Sequence, residues 1–366
     1  MTEIMWAWTA VVVGLIVLVG GGELLVRGAS KLAAAVRISP LVIGLTVVAF
    51  GTSAPELAVS VQASFKGSSD LAIGNVVGSN IFNVLFILGL SALIVPLAVA
   101  SEFIRRDVPI MIGVSVLLFI LSLDGKIDRI DGALLFAGIV AYTVWCIRAS
   151  RQENQAIQQE FAAEWGRENP RRRGAMAINI VFILGGLMLL VIGSSWLIRG
   201  SVVIAQSFGV SELIIGLTIV ATGTSLPELA TSIIAAVKGE RDIAVGNVVG
   251  SNIFNILSVL GLSALIAPAG VNVSDAAIRF DIPVMIAVAI ACWPIFSTGN
   301  VIARWEGAVF FLYYMAYTTH MVLEATGNDF RHTLSSLMLL FVVPLTILTI
   351  AVTVWRSRQS GSKTAS

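Results

Sequence analysis

Two glutamates, Glu56 and Glu228, occupy matching motifs inside long apolar runs of the chain. The motifs read GTSAPE at 51–56 and GTSLPE at 223–228, and neither apolar run contains Lys, Arg or His. A carboxylate in such a run costs several kcal/mol unless it is paired, so it indicates function by default. Thr52 lies four residues before Glu56, which puts both side chains on one helical face. A mobile cation is the natural partner for these two carboxylates.

A second motif, GNVVGSNIFN, adds neutral oxygen atoms and also occurs twice, at 74–83 and 246–255. In each copy a serine precedes an asparagine by four residues, so both lie on one helical face. Ca²⁺ takes six to eight oxygen ligands, whereas Zn²⁺ and Cu²⁺ favour His or Cys. The oxygen-rich set therefore predicts a site for a hard cation such as Ca²⁺ or Na⁺. Its predicted side-chain ligands are Glu56, Glu228, Asn83, Asn255, Thr52, Ser53, Thr224, Ser225, Ser79 and Ser251.

The glycine and proline of each GTS-x-PE motif predict a break in the helix that carries it. Pro55 and Pro227 lack a backbone N–H and clash with the preceding turn. We expect the break to free the carbonyl groups of Ala49 and Ala221 as further ligands. Irregular backbone at membrane depth is tolerated where it is buried in protein or lines a cavity.

Composition places the chain among integral membrane proteins. Of its 366 residues 57% are hydrophobic and only 12% are charged, and mean hydropathy is +0.92. A soluble domain usually carries about 25% charged residues. Several apolar runs approach the roughly 20 residues that span a bilayer, so we expect an all-α fold with the lipid bilayer as its surroundings. There is no basic patch for nucleic acid, no H-E-x-x-H metal motif and no nucleophile placed beside a base, so an enzyme is not expected.

The chain contains an internal repeat. Residues 43–96 recur at 215–268 without a gap, and 38 of the 54 positions are identical, too many to arise by chance. The match extends weakly in both directions, which predicts two homologous halves. The expected divisions are a first repeat at 1–149, a linker at 150–175, a second repeat at 176–323, and an extra helix with a tail at 324–366.

Each half is expected to cross the membrane five times. Because five is odd, the second half enters from the opposite side, which makes an inverted-topology repeat typical of secondary transporters. The expected spans lie near 5–26, 41–65, 71–95, 107–123 and 131–149, then near 176–198, 213–237, 243–266, 280–296 and 306–323, with an eleventh near 335–355.

The distribution of basic residues predicts the orientation in the membrane. With the N-terminus outside, 17 of the 23 Lys and Arg residues fall on the inner side. Cytoplasmic loops carry such an excess. We therefore expect a multi-pass protein of the cell membrane, with the linker and the C-terminus in the cytoplasm.

The paired motifs resemble the alpha repeats of the sodium/calcium exchanger superfamily, the calcium–cation antiporters. The resemblance covers both halves and implies exchange of Ca²⁺ for Na⁺ by alternating access, with no cofactor beyond the transported ions. Carried over residue by residue, it implies a central site at Glu56, Glu228, Asn83 and Asn255, joined by the hydroxyls of both GTS and both GSN motifs. Many relatives have Asp where this chain has the two asparagines, so H⁺ stays open as the counter-ion, with Ca²⁺/H⁺ antiport as the alternative and a cation channel as a further one.

Several other polar residues have structural interpretations. Asn80 and Asn252 are expected to bond freed backbone groups, because buried amides need partners. Caps at helix starts are expected of Asp70, Asp242, Asp107 and Asp281. An interfacial pair is expected between Glu23 and Arg27. Cys146 and Cys292 are expected to be buried free thiols, and no role is expected for His320 and His332.

Overall fold

The computed structural model describes residues 2–152 and 173–351, except Arg37, Leu345, Leu348 and Ile350. Most of the described chain is helical, as expected. The helices in chain order are α1 (Thr2–Val36), α2 (Pro40–Thr52), α3 (Ala54–Phe65), α4 (Ser69–Ile94), α5 (Ser101–Leu121), α6 (Arg129–Gln152), α7 (Arg173–Ser207), α8 (212–223), α9 (Leu226–Val237), α10 (Arg241–Ile266), α11 (Ala277–Ser297), α12 (Arg304–Ala325) and α13 (Phe330–Leu337).

Six of these helices are long and apolar enough to cross a membrane. They are α1, α4, α6, α7, α10 and α11, and the bent pair α2–α3 makes a seventh if it is counted as one span. The molecule therefore fits a multi-pass membrane protein. The predicted linker lies almost entirely outside the described residues, as does the end of the predicted eleventh span, of which α13 and the π-helical turn Met338–Val342 are described.

Helices α1 and α7 are longer than the sequence predicted and pack along a seam of glycines. A Cβ atom on Gly21 would lie 2.8 Å from the Leu190 backbone nitrogen, and one on Gly193 would lie 2.6 Å from that of Leu18. The two backbones are thus in direct contact, which small residues permit in membrane helices. The prediction ended α1 near residue 26, just before Arg27 and Lys31, but buried residues such as Ala33 continue the helical period to Val36.

Both predicted helix breaks are present. Helix α2 ends before Ser53, where φ is −81° and ψ is 9°, and α3 departs from its direction by 46°. Ser225 adopts nearly the same conformation between α8 and α9, with φ −90° and ψ 9°. Each proline follows within the first turn of the next helix, where its missing N–H leaves no acceptor unsatisfied.

Four π-helical turns occur inside the helices at matching positions of the two halves. Each of the two longer turns begins at a predicted ligand, Asn83 or Asn255. A π turn adds a residue to the helix and appears frequently at functional sites. The four turns are Gly44–Val48, Asn83–Leu88, Gly216–Val220 and Asn255–Leu260.

Two short antiparallel strand pairs join the halves, a detail the all-α prediction missed. β1 (Leu97–Ala98) pairs with β4 (Val301–Ile302), and β2 (Lys126–Ile127) pairs with β3 (Val271–Asn272). Each strand has two residues and follows or precedes a long helix. Such pairs satisfy backbone groups in the connecting loops without forming a sheet core.

The prediction of caps at four aspartates is wrong. Asp70 and Asp242 are the second residues of α4 and α10 and make no capping hydrogen bond there. Asp107 lies inside α5, where the Tyr142 hydroxyl donates to its Oδ1 at 2.8 Å.

The fourth aspartate, Asp281, makes the matching bond in the second half. It accepts a hydrogen bond from the Tyr317 hydroxyl at 3.1 Å. Both contacts are long-range bonds between neighbouring helices, which local sequence spacing does not reveal.

The predicted pair of Glu23 with Arg27 is also wrong. Glu23 forms an ion pair with Lys238, at the end of α9. The Arg27 guanidinium lies instead over the Phe182 ring, 5.9 Å from its centroid. An acid and a base four residues apart can pair, but a tertiary partner on a packed helix has replaced that local contact. Cys146 and Cys292 are free and buried, as expected.

Candidate cation site

The two carboxylates are fully buried, and each is held by a serine of the other half of the chain. The Ser225 hydroxyl donates to Glu56 Oε1 at 2.8 Å, and the Ser53 hydroxyl donates to Glu228 Oε1 at 2.9 Å. These serines occupy the helix breaks, so the bends bring each GTS motif onto the glutamate of the opposite motif. The breaks therefore build one shared cluster out of two distant sequence segments.

Several oxygen atoms of this cluster are buried without a hydrogen-bond partner. Neither glutamate forms an ion pair with a basic side chain of the described residues. Buried polar atoms are normally satisfied, so a concentration of exceptions in one motif set requires an explanation. The unpartnered atoms there are Glu56 Oε2, Glu228 Oε2, Asn83 Oδ1, Asn255 Oδ1 and Ser251 Oγ. All of them are acceptors suited to a hard cation.

Two asparagines that the sequence interpretation missed, Asn75 and Asn247, support the threonines. Thr52 donates to Asn247 Oδ1 at 3.1 Å, and Thr224 donates to Asn75 Oδ1 at 3.3 Å. Each asparagine also donates to the backbone carbonyl of the glutamate in its own half, at 3.1 Å for Glu56 and 3.3 Å for Glu228. Their position directly after the first glycine of both GNVVGSNIFN copies was the available signal.

The two serines of the GSN motifs differ. The Oγ atoms of Ser79 and Ser225 lie 3.1 Å apart, and because the single hydroxyl hydrogen of Ser225 goes to Glu56, Ser79 donates to Ser225 and joins the network around Glu56. Ser251 Oγ has no partner, although its sequence surroundings are the same. The structure thus brings both serines into buried positions but links only one of them to a glutamate through a serine bridge.

The predicted carbonyl ligands also differ between the halves. The Ala49 carbonyl is not freed, since it accepts the Ser53 N–H at 3.0 Å, as in a regular helix. In the second half the corresponding N–H, of Ser225, donates to the Thr222 carbonyl at 3.2 Å. The expectation of a freed carbonyl is therefore wrong for Ala49, whose oxygen keeps one lone pair, and the roles of Ala49 and Ala221 as ligands stay predictions.

The buried set can neutralise a divalent cation. Two carboxylates supply two negative charges, and amide and hydroxyl oxygens complete an all-oxygen environment. His320 lies elsewhere, with Nε2 3.6 Å from Glu324 Oε2, and contributes nothing to this cluster. The side chain of His332 lies outside the described part of the structure.

Known proteins resemble this chain over nearly its whole described length. The profile of the sodium/calcium exchanger protein family matches residues 6–148 and 178–323. CaxA of Alkalimonas amylolytica is 44% identical over 283 residues, covering 77% of this chain and 86% of that protein. The sodium/calcium exchanger MaX1 of Methanosarcina acetivorans is 36% identical over 338 residues, covering 83% of this chain and 95% of its own.

A solved structure shares the fold. The sodium-calcium exchanger NCX_Mj, soaked with 10 mM Na⁺ and zero Ca²⁺, superimposes with a TM-score of 0.73 at 28% identity, covering 85% of this chain and 97% of that one. The matched ranges include both copies of both motifs, and the relatives are exchangers and antiporters rather than enzymes. This chain therefore belongs to the sodium/calcium exchanger family.

Proposed function

We propose that this protein is a secondary active antiporter that exchanges Ca²⁺ for Na⁺ across the cell membrane. Transport proceeds by alternating access to one central site formed by Glu56, Glu228, Asn83 and Asn255. The hydroxyls of the GTS and GSN motifs complete the site. The family supports an antiporter of cations, and the chemistry of the buried oxygens supports these ions.

One observation carries the proposal: acceptor oxygens of both halves are buried together without hydrogen donors. Glu56 Oε2 and Glu228 Oε2 are carboxylate atoms with no exposure and no basic partner among the described residues. A purely structural carboxylate would be expected to have its oxygens bonded, because an unpaired buried charge costs several kcal/mol. A bound cation supplies the missing interaction.

The central test is neutralisation of each carboxylate. Glu56→Gln and Glu228→Gln each remove one of two charges that face a divalent ion, so Ca²⁺ uptake into proteoliposomes should fall to background. Glu306→Gln is the matched control: Glu306 is also buried, but its Oε2 accepts the Ala303 N–H at 2.8 Å, a structural contact that glutamine can keep. Ca²⁺ uptake at the wild-type rate in Glu56→Gln or Glu228→Gln would refute the proposal that these carboxylates form the transport site.

The counter-ion is tested by driving Ca²⁺ uptake with one gradient at a time. An imposed Na⁺ gradient should drive uptake at constant pH, because Na⁺ accepts the same oxygen ligands. Uptake that follows a pH gradient and ignores Na⁺ would replace this proposal with Ca²⁺/H⁺ antiport. Flux without coupling to either gradient would indicate a channel.

We extend the proposal to topology, with two inverted repeats of five spans at 1–149 and 176–323. The linker at 150–175 and the tail after the extra helix at 324–366 are placed in the cytoplasm, and the N-terminus is placed outside. The bent pair α2–α3 and the interrupted pair α8–α9 each count as one span in this scheme. A cysteine at Thr2 should react with an impermeant thiol reagent in intact cells, and one at Ser150 should not; the opposite pattern would reverse the orientation.

A further inference from the structure

Four asparagines from both halves form a hydrogen-bonded cluster, which we call the asparagine clasp: Asn80, Asn83, Asn252 and Asn255. Two of them, Asn83 and Asn255, are proposed ligands. All four are buried. Asn83 Nδ2 donates to Asn252 Oδ1 at 3.0 Å, and Asn255 Nδ2 donates to Asn80 Oδ1 at 3.1 Å. Each proposed ligand is therefore bound to an asparagine of the opposite half.

Backbone atoms fix which way the amides of the clasp are turned. Asn80 Nδ2 lies 3.2 Å from the Asn252 carbonyl oxygen, and Asn252 Nδ2 lies 3.3 Å from the Asn80 carbonyl oxygen. A backbone carbonyl can only accept, so the NH₂ group of each side chain must face it. The carbonyl end of each side chain then points away from these backbone groups.

Two methionines enforce the same direction. Asn80 Nδ2 is 3.6 Å from Met285 Sδ, and Asn252 Nδ2 is 3.6 Å from Met111 Sδ. A thioether sulfur is a weak acceptor and offers no hydrogen. Turning either amide over would bring its oxygen against a carbonyl oxygen and a sulfur, so the flipped arrangement is excluded.

The orientation passes on to the ligands. Asn80 presents only its Oδ1 to Asn255, which must therefore turn its NH₂ group toward Asn80 and its own Oδ1 away. Asn252 imposes the same choice on Asn83. The two oxygens that result, Asn83 Oδ1 and Asn255 Oδ1, are among the unpartnered atoms of the site.

We infer that Asn80 and Asn252 are positioning residues that make Asn83 and Asn255 present oxygen, and not NH₂, to the transported cation. The inference rests on the proposed function. An NH₂ group facing the site would repel the cation, because its hydrogens carry partial positive charge and it offers no lone pair to bind the ion. Partners that orient metal ligands typically affect affinity by about 10–100-fold when they are removed.

The arrangement also makes each half's ligand depend on the other half. Asn83 follows Asn80 on the same helix but is oriented by Asn252, on α10. Correct docking of α4 against α10 is thus required before either amide oxygen is in place.

The test measures Ca²⁺ affinity of the purified full-length protein by isothermal titration calorimetry. Asn80→Leu and Asn255→Leu should each weaken Ca²⁺ binding about tenfold. The double variant Asn80→Leu/Asn255→Leu should bind Ca²⁺ about tenfold more weakly than wild type, and not about hundredfold, because the effects of two substitutions in one coupled unit do not add. Multiplying effects, or wild-type affinity in Asn80→Leu, would overturn the inference.

Asn80→Asp separates positioning from support of the fold. Its carboxylate still accepts from Asn255 Nδ2 but cannot donate to the Asn252 carbonyl, so it loses the same structural bond as Asn80→Leu. We expect wild-type or tighter Ca²⁺ binding in Asn80→Asp, together with a lowered melting temperature in both variants. If both variants lose affinity equally, the role is structural and the inference fails.

The twin residue gives a second, independent set if Asn80→Leu does not fold. Asn252→Leu should weaken Ca²⁺ binding through Asn83 as Asn80→Leu does through Asn255, and Asn252→Asp should keep wild-type or tighter binding, as Asn80→Asp does. Wild-type protein that binds no Ca²⁺ at all would refute the proposed function itself, whereas Ca²⁺ binding with additive variants would refute only the positioning role.

Discussion

Two crevices of closely similar sequence flank the site, one between α2 and α10 and the other between α8 and α4, and their helices are packed differently. On one side α2 lies against α10 so closely that a Cβ atom on Gly250 would come within 2.7 Å of Leu45 Cα, and Gly246 and Gly250 are both buried. On the other side, a Cβ on Gly74 or Gly78 of α4 would meet no described atom within 4 Å, and Gly74 is exposed. One crevice beside the site is closed and its twin is open.

Since the sequences of the two crevices match, the difference must come from conformation. Two inverted halves that can exchange their conformations give a transporter that opens to one side at a time. In the proposed topology the open crevice, between α4 and α8, faces outside, and the closed one faces the cytoplasm. The two serine positions differ as well: Ser79 is hydrogen-bonded to Ser225 beside the open crevice, whereas Ser251, on α10 beside the closed one, has no partner.

The largest expected effect is a difference in access to the two crevices. Ala49 is fully buried and Ala221 is exposed, although they are twins. In a variant without Cys146 and Cys292, Ala221→Cys should react with a hydrophilic thiol reagent from outside about 10–1000-fold faster than Ala49→Cys. A minor state populated at 0.1–10% accounts for that range. Equal rates would show that the crevices do not differ in solution.

A methyl group in the closed crevice should shift the balance between the two states. Gly250→Ala places its Cβ against the Leu45 backbone, and overpacking of this kind typically costs about 1–3 kcal/mol. The closed state should lose population by about 5–150-fold relative to its alternative. Labelling of Ala49→Cys, with the cytoplasmic face exposed in inverted vesicles, should rise accordingly.

Gly78→Ala is the matched control, because its Cβ meets no described atom in the present state. It should disfavour only the opposite state, in which the outer crevice closes, and so lower the labelling of Ala49→Cys. The same response to both glycine substitutions would argue against exchange of conformations between the halves.

The sequence was sufficient for the family, the repeat in the sequence, the helix breaks and the buried side chains that carry unpartnered oxygens, but it missed Asn75 and Asn247. These features are visible in the sequence because a carboxylate in an apolar run is costly, and because the motifs that contain Glu56 and Glu228 occur twice. It could not show which crevice is closed, because Gly74 and Gly246 have the same neighbours in sequence. Nor could it show that Ser53 binds the glutamate of the opposite half, since that contact depends on how two bent helices cross.

The hydrogen bonds between Asp and Tyr were also not predictable from the sequence. They provide a test, with a smaller expected effect, of how the two halves differ. Asp107 is 5% exposed and bonded to Tyr142, whereas its twin Asp281 is only partly buried and bonded to Tyr317. Tyr142→Phe leaves a buried carboxylate oxygen without its donor, which costs about 1–3 kcal/mol. Tyr317→Phe should cost less, because Asp281 is only partly buried and loses less solvation.

The melting temperature of each variant in detergent, with and without Ca²⁺, measures this difference. Tyr142→Phe should show the larger fall. A larger fall for Tyr317→Phe would mean that the partial exposure of Asp281 does not reduce the cost, and that the two bonds differ for another reason.

The smallest expected effect concerns an ion pair present in only one half. Glu23 on α1 pairs with Lys238 at the end of α9, but the twin positions hold Ser195 and Lys66, so the opposite crevice has no such link. Both partners are partly exposed, and exposed pairs contribute about 0–1 kcal/mol. Glu23→Gln should therefore raise the labelling of Ala49→Cys by no more than about fivefold, which is the shift that about 1 kcal/mol allows.

The reverse substitution sharpens this last test. Ser195→Glu offers Lys66 a partner at the twin position and should shift the labelling by a similarly small factor in the opposite direction. Both shifts should shrink in high salt, because salt screens exposed charges. Shifts in the same direction, or shifts that persist in high salt, would show that the Glu23–Lys238 pair does not favour the closed inner crevice over the open outer one.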